Sequence, residues 1–149
     1  MMMSSCLDAP NYPDEPAIDF ISLSKTVMQQ GSLFEDSTFV KISFTDGDGY
    51  LGDDDRVNIF LKDQRDTSET FTTFKIPFIP EEGAGNGISG EITLLLFTSC
   101  CIYDNGQAPC TPSTFEPTDT LVYDLYIEDR AGNASNILTL PEITLLCDQ

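Results

Sequence analysis

Histidine is absent from this sequence, and basic side chains are scarce. The 149 residues contain no His and only seven Lys and Arg against twenty-five Asp and Glu, which gives a formal net charge of −18. Without histidine, the chain lacks the commonest general base and the usual zinc ligand. The excess of carboxylates disfavours binding to nucleic acid and to anionic lipid head groups, whereas cations are natural small partners.

Long apolar runs and helical patterns are missing as well. No segment approaches the roughly 20 apolar residues that span a bilayer, and no segment shows sustained helical periodicity. The chain is nevertheless 40% hydrophobic and 10% aromatic, which favours a folded core over a disordered acidic segment. We therefore expect one domain without long helices.

No residue pattern indicates an active site. Serines are frequent, but the chain has no histidine to activate one. A carboxylate pair for glycoside hydrolysis would need a cleft that separates two pKa values, and the acids here lie in turn-like segments. No glycine-rich phosphate loop follows a strand and opens a helix. We expect a protein that is not an enzyme.

Apolar runs with period-two alternation predict strands. Seven such runs are separated by turn residues at the spacing of a β-sandwich. They cover residues 17–27, 38–44, 57–62, 71–79, 90–97, 121–128 and 136–146. The prediction is an all-β fold, a seven-stranded Ig-like β-sandwich of Greek-key type over residues 17–149, preceded by a tether over residues 1–16.

The most informative segment is Asp46–Asp55, which lies between two predicted strands. It holds five carboxylates and three glycines in ten residues. Glycine lets a loop turn tightly, and hard oxygen ligands on a flexible loop suit Ca²⁺. The EF-hand pattern fails here, because Leu51 stands where that motif needs glycine and Val57 where it needs glutamate. Further ligands must therefore come from elsewhere in the fold.

The alternation of strand directions brings other loops to the same end of the sandwich. We call this end the acidic pole; it combines loop 46–55 with loop 80–87, loop 129–133 and the entry to the first strand. From the residues alone, a solvated acidic turn is the alternative to a calcium site. The predicted calcium ligands of the first loop are Asp46, Asp48 and Asp53, with Asp54 and Asp55 as second choices.

The loop Asp129–Asn133 resembles the Asp-x-x-Gly-Asn turn of bacterial Ig-like and cadherin-like modules. In such modules an Asp and an Asn near a strand end contribute to calcium binding, alongside an acidic residue at the N-terminal edge of the domain. The resemblance implies that Asp129 and Asn133 join the calcium site, with Glu15 or Asp14 as the edge residue. A plain hairpin turn with Gly132 at positive φ is the alternative.

Four of the five cysteines fall at the end of the sandwich opposite the acidic loops, which we call the cystine pole. Adjacent cysteines rarely bond each other, so we expect one of Cys100 and Cys101 to pair with Cys110 and the other with Cys147. The sequence leaves the assignment open. The alternatives are free thiols and a Cys₄ zinc site, although the Cys-x₂-Cys spacing of such sites is missing.

The N-terminal segment Ser4-Ser5-Cys6 resembles the end of a bacterial lipobox, where a cysteine is cleaved and lipidated. The polar, proline-containing stretch 7–16 resembles the tether that follows such a cysteine. An ordinary N-terminus with one stray cysteine is the alternative. Lipidation at Cys6 and disulfides would both indicate an exported protein.

Most of the chain resembles the small exported lipoproteins of the Bacteroidota type that carry an Ig-like, cadherin-like calcium-binding sandwich. The resemblance lies in Ser5-Cys6 and in residues 42–52, 76–79 and 129–135. It implies a cell-envelope location, an outer-membrane lipid anchor at Cys6 and a non-catalytic role. The implied cofactor is Ca²⁺, and the implied partners are other envelope proteins or surface glycans, with no nucleic acid and no membrane contact beyond the anchor.

The predicted function is an adhesion or binding module, or an accessory subunit of an outer-membrane complex. The first alternative is a self-associating structural subunit of a surface layer or filament. The second alternative is a carbohydrate-binding module, which would need an exposed aromatic platform. The candidates for such a platform are Tyr103, Phe115, Tyr123 and Tyr126.

Overall fold

A computed structural model describes residues 11–80 and 87–149, and this part of the chain is all-β, as predicted. Ten strands and no helices occur among the described residues. The strands are β1 (Ala17–Leu23), β2 (Val27–Gln29), β3 (Ser37–Asp46), β4 (Ile59–Asp63), β5 (Thr72–Phe74), β6 (Ile88–Phe97), β7 (Thr118–Leu121), β8 (Tyr123–Ile127), β9 (Leu138–Thr139) and β10 (Ile143–Leu146). Within the same ranges, the structure contains no helix long and apolar enough to cross a bilayer.

The strands form three sheets. The first has the antiparallel order β1-β3-β6. The second has the order β2-β10-β7, in which β2 runs parallel to β10. The third has the antiparallel order β5-β4-β8-β9. Only Val122 separates β7 from β8, so the chain passes directly from the second sheet into the third.

The predicted count of seven strands is wrong, because several predicted runs divide. The run 17–27 becomes β1 and β2, which belong to different sheets. The chain leaves the first sheet where the hydroxyl of Thr38 bonds the backbone of Lys25 on both sides, as donor to its carbonyl at 2.9 Å and as acceptor from its amide at 3.1 Å. Such side-chain bonds compete with the strand ladder. The runs 121–128 and 136–146 divide in the same manner, between the second and third sheets.

The predicted run 71–79 contributes only the three residues of β5. Pro77 has no amide hydrogen to donate to a ladder. Ile76 bonds the side chain of Asn58 instead, with its amide 2.6 Å from Oδ1 and its carbonyl 3.0 Å from Nδ2. Segment 75–79 is therefore held beside β4 by a side chain rather than by strand pairing.

Alternate strand residues fill one hydrophobic core. In β3 the buried apolar side chains are Val40, Ile42 and Phe44, while Phe39 faces outward. The period of two follows from the pleat, which turns successive side chains to opposite faces. Buried residues of all three sheets belong to a single core cluster, so the three sheets share one interior.

The acidic pole gathers the loops that strand alternation predicts, as far as the described residues reach. The amide of Gly47 donates to the carbonyl of Pro13 at 2.8 Å, which joins the chain entry to loop 46–55. The amide of Arg130 donates to the carbonyl of Tyr50 at 2.9 Å, which joins loop 129–133 to the same loop. Most of loop 80–87 lies outside the described residues.

The cystine pole contains two cysteine pairs at disulfide distance, Cys100–Cys110 and Cys101–Cys147. Their Cα atoms are 4.6 and 6.0 Å apart, within the range that a disulfide spans. The prediction that one of the adjacent cysteines pairs with Cys110 and the other with Cys147 is confirmed. The structure supplies the assignment that the sequence left open. The predicted lipidation site, Cys6, lies outside the described residues.

Candidate metal centre

Three carboxylates meet at the acidic pole. Asp46, Asp48 and Asp129 each place a carboxylate oxygen within 4.8 Å of the other two. Asp46 is the last residue of β3, and Asp129 follows β8 by two residues. The loop and the turn that sequence patterns selected therefore contribute to one cluster, which we call the acidic cluster.

The burial of Asp46 follows from its place in β3. The buried positions of the second half of this strand alternate, and Asp46 continues the series of Ile42 and Phe44. Its side chain consequently points toward the interior rather than toward solvent. The alternation continues through Asp46, so the sequence contained this signal, although the predicted strand ended at Phe44 and left the predicted ligand Asp46 in the loop.

The Asp46 carboxylate is buried without compensation. The residue is 0% exposed, and neither carboxylate oxygen has a hydrogen-bond partner among residues 11–80 and 87–149. Burial, reinforced by the neighbouring carboxylates of Asp48 and Asp129, raises the pKa of Asp46 to about 7, against a smaller opposing effect of the Asp48 backbone amide. A buried charge without a partner is unfavourable by several kcal/mol. The cluster therefore requires either a proton or a cation.

The basic side chains of the protein are engaged elsewhere. All seven lie in the described ranges, and five of them pair with carboxylates outside the cluster: Lys25, Lys41, Arg56, Lys62 and Arg65. The ammonium group of Lys75 donates to the carbonyl of Asp54 at 2.7 Å. Only Arg130 is adjacent to the cluster in sequence.

Arg130 fastens the two loops without neutralising the acids. Its Nη1 donates to the carbonyl of Gly52 at 2.9 Å. Its guanidinium carbon lies 4.5 Å from the ring centre of Phe78 and 5.5 Å from that of Tyr50, at the spacing of cation–π contacts. These contacts hold loop 46–55 against the turn that carries Asp129.

Asn133 positions Asp129 within a tight turn. Its backbone amide donates to Asp129 Oδ1 at 2.8 Å, and its side-chain Nδ2 donates to Oδ2 at 2.9 Å. Gly132 has φ +88°, as the hairpin alternative requires. The amide nitrogen of Asn133 thus faces the Asp129 carboxylate. The predicted role of Asn133 as a calcium ligand stays a prediction, whereas its contact with Asp129 is observed.

Asp48 forms the accessible side of the cluster. Its Oδ1 accepts a hydrogen bond from the amide of Tyr50 at 3.0 Å, in the pattern of an Asx turn. Asp48 is partly exposed, whereas Asp46 is fully buried and Asp129 is 5% exposed. Solvent therefore reaches the cluster from the Asp48 side.

The predicted ligand Asp53 lies outside the group of three. Its Oδ2 accepts from Nε of Arg56 at 2.7 Å, and its Oδ1 accepts from the amide of Asp55 at 2.8 Å. These two contacts, the backbone bond first, lower the pKa of Asp53. Asp53 thus already has a countercharge within its own loop.

The other predicted acids occupy the surface around the cluster. Asp54 accepts a hydrogen bond from the amide of Phe78 at 3.0 Å, which ties loop 46–55 to segment 75–79. Asp55, Asp14 and Glu15 are exposed. The structure gives none of these four a carboxylate in the acidic cluster of the described residues.

The chain entry lies against the loop beside the cluster, a contact that the sequence reasoning missed. A Cβ atom on Gly47 would lie 2.2 Å from the carbonyl oxygen of Tyr12 and 2.4 Å from that of Pro13. Only glycine permits this approach, and Gly47 directly follows Asp46. Among the described residues, the cluster itself consists of carboxylate oxygens, which suit Ca²⁺ or Mg²⁺ and not Zn²⁺.

The four aromatic candidates do not form one platform. Tyr103 and Tyr123 are buried, at 7% and 6% exposure. Phe115 is 90% exposed. Tyr126 is half-buried and stacks on Phe60 with ring centres 4.9 Å apart. Their different degrees of burial rule out a shared flat surface of these four rings.

Three comparisons with known proteins produced no match. Neither a scan of family models nor searches of curated proteins and solved structures found a similar protein. The functional argument therefore depends on the residues and their geometry.

Proposed function

We propose that this chain is a non-catalytic, calcium-stabilised module of the cell envelope that binds other envelope components. The observation that carries the proposal is the fully buried Asp46 carboxylate, which lacks a partner among the described residues and has two further carboxylates beside it. A divalent cation would supply the missing countercharge. The oxygen donors and the irregular loop geometry favour Ca²⁺, which accepts six to eight oxygens in flexible arrangements.

The strand order supports an Ig-like sandwich of Greek-key type. The sheet β1-β3-β6 has the order of strands A, B and E in that fold, and β4-β8-β9 has the order of strands C, F and G. In this assignment β5 lies beside strand C. The acidic cluster then sits where the B–C and F–G loops meet the entry to strand A.

The burial of the cluster favours a structural ion. Asp46 and Asp129 are almost completely covered, so a bound cation would have little surface free for a substrate or a partner. Such an ion would fasten the chain entry, loop 46–55 and the Asp129 turn to one another. The missing histidine and the absence of catalytic motifs in the sequence agree with a non-catalytic role.

The cysteine pairs support an envelope location. Disulfides persist in oxidising compartments such as the periplasm and the cell surface, and both pairs here lie at disulfide distance. Lipidation at Cys6 would then tether the domain to the outer membrane. Mass spectrometry of the protein purified from its own cells tests this: a diacylglycerol-modified Cys6 at the mature N-terminus is expected, and an unmodified Cys6 inside a longer N-terminus would contradict the anchor.

Exposed apolar side chains favour self-association as a second candidate function. Phe34 and Phe39 are 74% and 52% exposed, and Leu95 and Phe97 are each 38% exposed. Phe39 is the cross-strand partner of Leu95, and Phe34 packs against Phe97 with ring centres 4.6 Å apart. Size-exclusion chromatography with and without calcium tests this candidate, because a monomer in both conditions would exclude a self-assembling subunit.

The calcium assignment is tested by calorimetric titration and thermal unfolding of the full chain after removal of metal. Calcium is expected to bind and to raise the melting temperature of the wild type. Asp46→Asn should abolish both effects. The matched control is Asp55→Asn, which changes an exposed acid of the same loop and should retain both effects. Identical melting curves in chelator and in calcium, for protein shown to be metal-free, would refute the proposal.

A further inference from the structure

A cleft opens at the cystine pole, between segment 63–72 and segment 99–102. Its volume is about 400 Å³, which is the size of a small-molecule site. Its polar lining includes the hydroxyl groups of Thr67, Thr70, Thr72, Ser99 and Tyr123. We call it the hydroxyl cleft.

An apolar compartment of about 290 Å³ adjoins the hydroxyl cleft. The two spaces share Thr72, Ser99 and Tyr123, and the second adds the side chains of Phe74 and Leu96. The residues around the two neighbouring spaces therefore combine hydroxyl groups with apolar side chains. A ligand that fills both halves must itself have a polar edge and an apolar face.

The charged groups around the cleft are negative in sum. Arg65 pairs with Asp63 at 2.7 Å and also with Asp119, and its Nη1 donates to the carbonyl of Cys100 at 3.1 Å. The lining contains a further carboxylate, Asp66. With one guanidinium against three carboxylates, the cleft disfavours phosphate, sulfate and carboxylate ligands.

Tyr123 supplies an unused polar group. It is 6% exposed, and its hydroxyl makes no hydrogen bond within the described ranges of the chain. The hydroxyl oxygen is not one of the fully buried atoms that lack a partner, so it is open to the cleft, and Tyr123 lines both compartments. Burial raises the pKa of Tyr123 to about 12, so the hydroxyl remains a neutral donor.

Several cross-links connect the walls of the cleft. Arg65, in segment 63–72, bonds Cys100 and Asp119 across the opening. The pairs Cys100–Cys110 and Cys101–Cys147 secure the opposite wall. A rigid site loses little conformational entropy when it binds, which favours weak-contact ligands such as sugars.

We propose that the hydroxyl cleft binds a neutral saccharide. The sugar ring would place its C–H face against Phe74 and its hydroxyl edge toward Thr67, Thr72 and Tyr123. The lining therefore favours a ligand that is uncharged and has both a polar edge and an apolar face. The inference names glycans as the ligand of the proposed binding module, and it rests on that proposal for the cellular location alone. The cleft and the acidic cluster lie at opposite poles.

The test is an NMR titration of the ¹⁵N-labelled full chain, in calcium, with three neutral probes: maltotriose, cellotriose and triacetylchitotriose. At least one probe is expected to shift the amide signals of Thr67, Thr72 and Ser99 in a saturable manner. Tyr123→Phe should weaken that binding about 5-fold through loss of one hydrogen bond. The matched control, Tyr126→Phe on the outer face of the third sheet, should bind as the wild type does.

Three results would overturn the proposal: no saturable shift at roughly 10 mM of any probe, shifts confined to residues outside the cleft, or unchanged binding by Tyr123→Phe. If Tyr123→Phe does not fold, Thr72→Val at the exposed rim of the cleft replaces it, with the same expected direction. The variant Asp46→Asn separates the two proposals, because it should lose the calcium response and keep saccharide binding.

Discussion

The two poles of this protein hold their crossing loops together by different means. At the cystine pole, two cysteine pairs and the Arg65 guanidinium, which bridges two carboxylates, tie the loops. At the acidic pole, backbone contacts bring three carboxylates together and leave one of them buried without a partner among the described residues. The first pole is complete by itself, whereas the second depends on the solution around it.

This difference shows that two ends of one fold can be stabilised in different ways, one independent of pH and calcium and the other dependent on both. A disulfide acts at any pH and any calcium concentration, provided that it stays oxidised. A cluster of acids is stabilised only by a proton or a cation, so its contribution varies with both. The following predictions vary the two poles separately.

The largest expected effect is removal of the Cys101–Cys147 pair. Its sequence separation is 46 residues, against 10 for Cys100–Cys110. Chain entropy predicts a loss of about 4 kcal/mol for Cys101→Ala with Cys147→Ala and about 3 kcal/mol for the matched pair Cys100→Ala with Cys110→Ala. Denaturant unfolding measures both. Equal losses, or a larger loss for the shorter loop, would contradict this account of the cystine pole.

The next effect is the pH dependence of the acidic pole in chelator. The pKa of Asp46, about 7, lies above its ordinary value of 3.8, so the folded state retains a proton that the unfolded chain releases. The contribution of Asp46 to stability is therefore fully present below about pH 4 and is lost as the pH rises to about 7, by on the order of 3 kcal/mol.

The comparison of wild type with Asp46→Asn isolates this contribution from other acids. Above pH 7 in chelator, Asp46→Asn should be the more stable protein, because the amide avoids a buried charge. Calcium should reverse that order. Unfolding curves from pH 4 to pH 8 measure the difference, and a constant difference across this range would show that Asp46 is not perturbed in the folded protein.

A smaller effect is expected for Asn133→Ala, which removes the Nδ2–Asp129 hydrogen bond. Groups that orient a ligand typically change metal affinity about 10-fold, so calcium binding should weaken while melting in chelator changes little. Isothermal titration measures the affinity. A complete loss of calcium binding would instead indicate that Asn133 is itself a ligand, as the sequence resemblance implied.

The smallest effect is expected for Glu15→Gln. Its side chain is exposed and stands outside the acidic cluster, so both stability and calcium affinity should stay within about 0.5 kcal/mol of the wild type. A large drop in calcium affinity would assign Glu15 to the shell as the edge ligand that the resemblance implied.

Sequence patterns predicted the parts of the fold that repeat. The alternation in 38–44 located β3, and the alternation of strand directions brought loops 46–55 and 129–133 together. What the patterns missed depends on single side chains. Thr38 bonds the backbone at Lys25 where the first strand changes sheets, and Asn58 binds Ile76 in place of a strand neighbour. Neither contact has a periodic signal.

For the candidate site, the density of acids identified the loop but not the roles of its members. Asp46 and Asp55 are the same residue type in the same loop, yet Asp46 is fully buried and Asp55 is exposed. The difference arises from the inward phase of β3, which the sequence contains, and from the approach of Tyr12 and Pro13 to Gly47, which it does not show. Pairing partners such as Arg56 for Asp53 likewise become visible only in three dimensions.

The inward phase of β3 has a consequence for where this protein can mature. Asp46 occupies a position that would hold an aliphatic side chain if the strand simply continued its pattern. An unpaired charge there makes closure of this end of the core unfavourable unless a proton or a cation neutralises it. Under the proposed calcium assignment, the chain would stay loosened at one end in the calcium-poor cytoplasm, where exported proteins must remain unfolded. On that proposal this end would close only in a compartment that contains calcium, and a single aspartate would tie completion of the fold to the surroundings of the protein.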